Sequence, residues 1–156
     1  MKFIKGAAIA LIATGAGFGP ALAEGDPKKG EKVFRKCKAC HMVGEKAKNR
    51  VGPVLTGVVG RTAGTWEGYK YSKVNATAGE NGLVWTPENL AEYLPKPQKF
   101  LEGFLKEKGA KARGRTKMVY RLRKESEVKD VIAYLATFSP KAEEAPKTEG
   151  GEAATQ

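Results

Sequence analysis

The chain has 156 residues, a formal net charge of +11 at pH 7, two cysteines and one histidine. Its length suits one domain with a modest core. The positive charge favours an acidic protein or an anionic membrane as a partner. The chain has only three Cys and His residues, which argues against a structural zinc site, because such a site needs four ligands.

The chain begins with a pattern typical of exported proteins. Residues 1–23 combine two lysines, an apolar stretch and the sequence Ala21-Leu22-Ala23, which is the layout of a secretory signal peptide with its cleavage site. The apolar part is too short to span the roughly 30 Å of a bilayer core. We therefore expect cleavage after Ala23 and export to the periplasm, where the protein would rarely meet nucleic acid.

The carboxyl-terminal segment, residues 141–156, contains no aromatic residue and no Leu, Ile or Val. Such a segment cannot bury enough apolar surface to offset the entropy lost on ordering, so we predict that it is disordered. The folded domain is then expected to cover residues 24–140.

Helix signals divide this domain into short helices joined by long loops. Asp26 with Pro27, and Thr86 with Pro87, are typical of helix starts. The predicted helices cover 27–39, about 72–78, 87–94, a piece that begins at Pro97, and 125–138. No alternation of apolar and polar residues predicts strands, so the expected fold class is all-α. The Gly-rich segment 44–82 is long for a compact domain, and its loops need a large object on which to pack.

The strongest functional signal is the sequence Cys37-Lys38-Ala39-Cys40-His41. On a helical turn, residues at i, i+3 and i+4 share one face, so the two thiols and the imidazole point the same way. C-x-x-C-H is the attachment signature of c-type haem, whereas a thioredoxin-like dithiol would need a strand–helix context that is missing here. We predict one covalently bound haem c, attached through Cys37 and Cys40, with His41 as an axial ligand of the iron.

The second axial ligand decides between electron transfer and open-site chemistry. The chain has no second histidine, Met1 is removed with the signal peptide, and Met42 directly follows His41 and cannot reach the opposite haem face. Met118, in a polar segment, is the remaining candidate. His–Met ligation closes both axial positions, which predicts an electron carrier and not an enzyme. The alternatives are an open-site haem enzyme or ligand sensor, similar to a peroxidase, if Met118 does not bind the iron, and a purely structural binding module.

A series of short motifs makes the chain resemble the class I c-type cytochromes over about residues 27–138. The resemblance is strongest to the long type of bacterial cytochrome c2, because the segment between Pro97 and Met118 is longer than in the mitochondrial form. The motifs, in chain order, are CKACH, GP at 52–53, GRTAG at 60–64, GYKYSKVN at 68–75, GLVWT at 82–86, EYLPKP at 92–97, TKM at 116–118 and DVIAYL at 130–135.

The resemblance implies a class I cytochrome c fold, with few helices and long loops wrapped around one haem. It implies that the first and last helices cross at Gly30, and that the Pro53 carbonyl orients His41. Partners for the haem propionates are expected at Arg61, Tyr71 and Trp85, and a polar network beside the methionine ligand at Asn75, Tyr93 and Thr116.

The resemblance also implies a function. It indicates a soluble, monomeric periplasmic carrier that shuttles single electrons from the cytochrome bc1 complex to a photosynthetic reaction centre or a terminal oxidase. Basic residues near the motifs that surround the exposed haem edge predict a docking ring for an acidic partner. These docking residues are Lys36, Lys38, Arg50, Lys99 and Lys117.

Three features depart from the family pattern or fall outside it. Tyr120 stands where mitochondrial relatives carry Phe, and the longer 98–115 segment adds several basic residues. Trp66 matches no position to which the resemblance assigns a role.

Overall fold

The computed structural model describes residues 25–140, so the predicted signal peptide and tail lie outside the described part of the chain. The described residues form five helices: α1 (Pro27–Phe34), α2 (Lys73–Glu80), α3 (Pro87–Tyr93), α4 (Pro97–Glu107) and α5 (Glu125–Ala136). Within this range β-structure is limited to one isolated antiparallel bridge between Thr62 and Val84. The predicted all-α fold is confirmed. None of the described helices is long and apolar enough to cross a membrane.

The helices begin where proline and capping residues predicted. The Asp26 carboxylate accepts the Lys28 N–H at 2.8 Å, which satisfies one of the backbone donors left free at the start of α1. At the start of α3, the Thr86 hydroxyl accepts the Asn89 N–H at 3.2 Å. The α4 helix begins at Pro97, since a proline in the first helical turn loses no hydrogen bond.

The α1 helix ends at Phe34, earlier than the predicted residue 39. At Arg35 and Lys36 the backbone N–H groups donate to carbonyls three residues back, which tightens the chain beyond the regular helix. Hydrogen-bonded turns then continue, and the His41 N–H donates to the Cys37 carbonyl at 2.9 Å. The C-x-x-C-H segment is therefore one helical turn of its own.

The first and last helices cross in close contact at Gly30. A Cβ added to Gly30 would lie 1.9 Å from the Asp130 carbonyl oxygen, so only glycine lets the two backbones approach this closely. Beside the crossing, the Phe34 and Tyr134 rings pack with their centroids 5.4 Å apart. The crossing implied by the resemblance is present, and it fixes the end of α1 against α5.

The loop that follows α4 is fastened to the helices at two points. The Gln98 side-chain oxygen in the first turn of α4 accepts the Thr116 N–H at 2.8 Å. Farther along, the Leu122 N–H donates to the Leu94 carbonyl at 3.0 Å. Both bonds bracket Met118 and hold its segment against α3 and α4.

Substituting Gly30 with Ala should lower the free energy of unfolding by about 1–3 kcal/mol, because the new methyl group overpacks the α1–α5 crossing. Urea unfolding of the haem-loaded protein measures this effect. The matched control is Gly103→Ala on α4, where an added Cβ meets no atom within 4 Å. Because alanine favours helix over glycine, the control should gain up to about 1 kcal/mol. Equal effects of the two variants would contradict the close crossing.

Candidate haem site

A cavity of about 320 Å³ lies among α1, α2, α3, α5 and the loops between them, and its wall is mostly apolar. All eleven residues that the sequence assigned to the cofactor and the iron line this cavity. They are Cys37, Cys40, His41, Pro53, Arg61, Tyr71, Asn75, Trp85, Tyr93, Thr116 and Met118. The fold thus brings together residues that are up to 81 positions apart in the sequence, from Cys37 to Met118.

The two cysteines stand on the helical turn that follows α1, and both are half-buried free thiols. Burial, and to a smaller extent the neighbouring Cys40, raise the pKa of the Cys37 thiol to about 11, whereas Lys36 opposes the shift. The Cys37 side chain is therefore protonated at neutral pH. The turn presents two thiols to one apolar cavity, as addition to two vinyl groups of a porphyrin requires.

The His41 imidazole is held in one orientation by the backbone. Its Nδ1 lies 2.7 Å from the Pro53 carbonyl oxygen. Burial lowers the pKa of His41, while the Pro53 hydrogen bond opposes this shift. The neutral ring donates Nδ1–H to the carbonyl, which leaves the Nε2 lone pair available to a metal.

Gly52 makes room for this imidazole. A Cβ added to Gly52 would lie 2.3 Å from Cε1 of His41 and 2.7 Å from its Nδ1. The Gly-Pro pair at 52–53 is one of the sequence motifs, but a role was expected only for Pro53 and not for Gly52. The motif was the available signal, yet the contact that requires glycine is visible only once the loop lies on the ring.

Arg61 places a cation in the cavity wall without an acidic partner. Its guanidinium donates to the Val54 carbonyl at 3.0 Å and to the Thr56 carbonyl at 3.2 Å. Within residues 25–140 it forms no salt bridge, and burial lowers its pKa, an effect that Tyr71 opposes. A half-buried cation of this kind favours an anionic group nearby.

Trp85 and Tyr71 lie in the same cavity wall as Arg61. Trp85 is buried, and its ring packs on that of Tyr93 with centroids 4.6 Å apart. Tyr71 is half-buried, and burial raises the pKa of its hydroxyl. Indole N–H and phenol O–H groups are hydrogen-bond donors that can meet carboxylates.

Polar side chains at Asn75, Tyr93 and Thr116 line the same cavity as Met118. The buried Asn75 side chain has an Oδ1 atom without a hydrogen-bond partner, the one such side-chain atom found in the described residues. Burial raises the pKa of Tyr93 to about 12, although a hydrogen bond with Thr116 partly opposes this shift. The Thr116 hydroxyl also accepts the Met118 N–H at 3.2 Å. Thr116 therefore links the buried tyrosine to the backbone of the candidate iron ligand.

The residues predicted to form a docking ring are all exposed, but they differ in their contacts. Lys36 and Lys117 line the mouth of the cavity. Lys36 pairs with Glu127 at 2.7 Å, and Lys117 donates to the Lys70 carbonyl.

Two other docking residues contact each other, since the Arg50 guanidinium donates to the Lys38 carbonyl at 3.0 Å. Lys99 lies on α4 and is not among the residues that line the cavity. The fold therefore places two of the five predicted docking residues, Lys36 and Lys117, at the cavity mouth.

Apolar side chains are exposed at the same mouth. Val51, Val119 and Tyr120 are 71%, 85% and 41% exposed, and all three line the cavity. Lys36 and Lys117 lie beside them, so the mouth combines an apolar centre with positive charge.

The residues present fit a haem. Two thiols and an imidazole share one turn, a thioether sulfur lines the same apolar cavity, and the wall carries an unpaired cation and an orphaned amide oxygen. Zinc fits less well, because the described residues contain no group of three or more Cys, His, Asp or Glu side chains arranged to hold a metal ion.

Comparison with known proteins agrees with this geometry. The family model for cytochrome c matches residues 27–139. Cytochrome c2 iso-2 of Rhodospirillum centenum is 59% identical over 119 residues, covering 75% of this chain and 98% of that protein. A cytochrome c2 of Rhodopseudomonas palustris is 54% identical over 115 residues, covering 72% and 98% respectively. The solved structure of cytochrome c2 from Rhodospirillum centenum matches with a TM-score of 0.73 and 59% identity, and covers 74% of this chain and 100% of that one.

The chain therefore belongs to the cytochrome c family, as a class I c-type cytochrome of the cytochrome c2 group. It carries one covalently attached haem c, whose iron supplies a one-electron couple between the ferrous and ferric states. Members of this group are electron carriers rather than enzymes, and this chain is a monohaem electron carrier.

Substituting Gly52 with Ala should displace the His41 imidazole and lower the free energy of unfolding by about 1–3 kcal/mol. Urea unfolding of the haem-loaded protein, followed by visible absorbance, measures this loss. The neighbouring Val51→Ala is the control: this side chain is 71% exposed, so its truncation should change stability by no more than about 0.5 kcal/mol. A Gly52→Ala protein as stable as the control would contradict the contact with the ring.

Proposed function

We propose that this chain is a soluble periplasmic cytochrome c2 with a six-coordinate haem iron. The observation that supports it most directly is the His41 imidazole, oriented by Pro53 at 2.7 Å, in the same apolar cavity as Met118. Cys37 and Cys40 form the two thioethers, and His41 and Met118 are the axial ligands. With both axial positions taken, no substrate reaches the iron, and electrons pass through the exposed edge of the macrocycle.

The remaining cavity residues tune this site. Arg61, Tyr71 and Trp85 hold the haem propionates, because a buried carboxylate needs donors. Asn75, Tyr93 and Thr116 form a polar network beside Met118, which is supported by the Thr116 hydroxyl at 3.2 Å from the Met118 nitrogen.

The protein is exported, with residues 1–23 cleaved as a signal peptide. It works as a monomer between the cytochrome bc1 complex and a photosynthetic reaction centre or terminal oxidase. Similarity to the cytochrome c2 proteins of Rhodospirillum centenum and Rhodopseudomonas palustris supports this place in electron transport. The net charge of +11 supports an acidic docking surface on the partner.

Docking uses the mouth of the cavity, with Lys36, Lys38, Arg50, Lys99 and Lys117 as the attracting charges. Long-range attraction of this kind raises the rate of encounter and is screened by salt. Glu127 offsets the charge of Lys36 in their ion pair, whereas Lys117 donates to a neutral carbonyl, so Lys117 is expected to attract an acidic partner more strongly.

Replacing Met118 with Ala should open one axial position of the iron. The reduced variant should bind carbon monoxide rapidly at neutral pH, and the oxidised variant should lose the weak red-edge absorption that arises from sulfur-to-iron charge transfer. Met42→Leu is the matched control, because Met42 follows His41 and lies outside the residues that line the cavity. Rapid carbon monoxide binding by the unmodified reduced protein would instead favour an open-site haem enzyme or sensor.

Electron transfer to the physiological partner should slow by about tenfold or more as ionic strength rises from low to high values. Stopped-flow kinetics at several salt concentrations measure this dependence. Lys117→Gln should lower the rate at low salt, whereas Lys28→Gln on the first turn of α1 removes the same charge away from the cavity and should not. A rate that does not change with salt concentration would contradict the proposal that these basic residues guide docking.

A further inference from the structure

Trp66 is the large aromatic residue to which neither the sequence motifs nor the proposed site gives a role. It is half-buried and does not line the cavity. Its ring nevertheless lies against the Arg61 guanidinium, with the guanidinium carbon 4.8 Å from the ring centroid. This is the geometry of a cation–π contact.

The backbone of Trp66 also lies near the second candidate propionate donor, Tyr71. It is close enough to the Tyr71 hydroxyl to lower the pKa of that group. One residue therefore lies beside both Arg61, through its ring, and Tyr71, through its main chain. Arg61 and Tyr71 line the cavity, whereas Trp66 does not. Trp66 therefore lies in a layer outside the two donors.

The loop that carries Trp66 is hydrogen-bonded to a side chain from an earlier segment, Asn49. It lies between Gly64 and Gly68, whose φ angles of 77° and 67° are ones that glycine adopts readily. The Asn49 side chain donates to the Glu67 carbonyl at 3.3 Å and accepts the Val54 N–H at 3.1 Å.

Asn49 thereby ties this loop to Val54, whose carbonyl is itself an acceptor for Arg61 at 3.0 Å. The indole and the backbone acceptor that hold the guanidinium are thus parts of one hydrogen-bonded unit.

We propose that Trp66 is a positioning residue that holds the Arg61 guanidinium against the haem propionates and shields it from water. The proposal rests on the proposed function, in which Arg61 binds a propionate. The indole covers one face of the guanidinium. Two N–H groups of the guanidinium donate to backbone carbonyls. The other N–H groups of the guanidinium are then left for the propionates.

This arrangement affects the reduction potential. Reduction removes one positive charge from the haem, so a fixed cation nearby favours the ferrous form. Water around the cation weakens that effect by raising the local dielectric constant. Removing the indole should therefore make the haem harder to reduce.

The experiment compares Trp66→Phe and Trp66→Leu with the unmodified protein by spectroelectrochemical titration. The midpoint potential should fall in the order Trp66, Phe, Leu, since Phe keeps a weaker π face and Leu keeps only apolar bulk. For Trp66→Leu the equilibrium constant for reduction should fall by about two- to fivefold. If the Leu variant does not fold, the Phe variant still tests the direction of the shift, and an unchanged potential there overturns the proposal.

Phe104→Leu is the matched control. Phe104 is a half-buried ring beneath the Lys108 ammonium at 5.6 Å, but it does not line the cavity or contact Arg61. Both Leu variants should lower stability to urea, and only Trp66→Leu should lower the potential. Equal potentials for the two variants would reduce Trp66 to a packing residue and overturn the proposal.

A double-mutant cycle with Arg61→Gln, which removes the cation, separates this inference from the proposed function. If Trp66 acts through the guanidinium, Trp66→Leu should shift the potential much less in the Arg61→Gln background than alone. Fully additive shifts would overturn the positioning role while leaving Arg61 as a propionate partner. An Arg61→Gln variant with an unchanged potential would instead remove the propionate role of Arg61, and with it the inference.

Discussion

The rest of the site depends on the hydrogen bond that orients the His41 imidazole. The Pro53 carbonyl accepts the Nδ1 proton at 2.7 Å, and Gly52 lies so close to the ring that a methyl group could not fit there. Because the same turn carries both cysteines, fixing the ring also fixes where the thiols lie. The ring must be neutral to bind iron, and burial lowers its pKa accordingly.

Features that would be costly in an ordinary core are explained by one bound haem. The cavity wall carries the Arg61 cation without a salt bridge to any described residue, and the buried Asn75 oxygen has no hydrogen-bond partner. Buried polar groups of this kind cost free energy unless something meets them. Around the cavity, the α1–α5 crossing at Gly30 and the Gln98 bond to the Thr116 segment supply a frame that holds the two candidate iron ligands.

Much of the fold could be read from local chemistry, whereas the fine structure of the site could not. Three helix starts were predicted correctly from prolines, at Pro27, Pro87 and Pro97. This was possible because the start of a helix depends mainly on neighbouring residues. The end of α1 was predicted too late, since the change to three-residue hydrogen bonds at Arg35 has no sequence signal. The roles of Gly52 and Trp66 depend on loops that meet only in the folded chain, and spacing cannot reveal them.

The central claim is that one haem is covalently bound to this chain through its two cysteines. Intact mass spectrometry of the purified protein under denaturing conditions tests it most directly. The account predicts a mass equal to the processed chain plus one haem, with the colour remaining on the denatured protein and no thiol left to react. A chain of unmodified mass with two titratable thiols, or colour that separates from it on denaturation, would contradict the account.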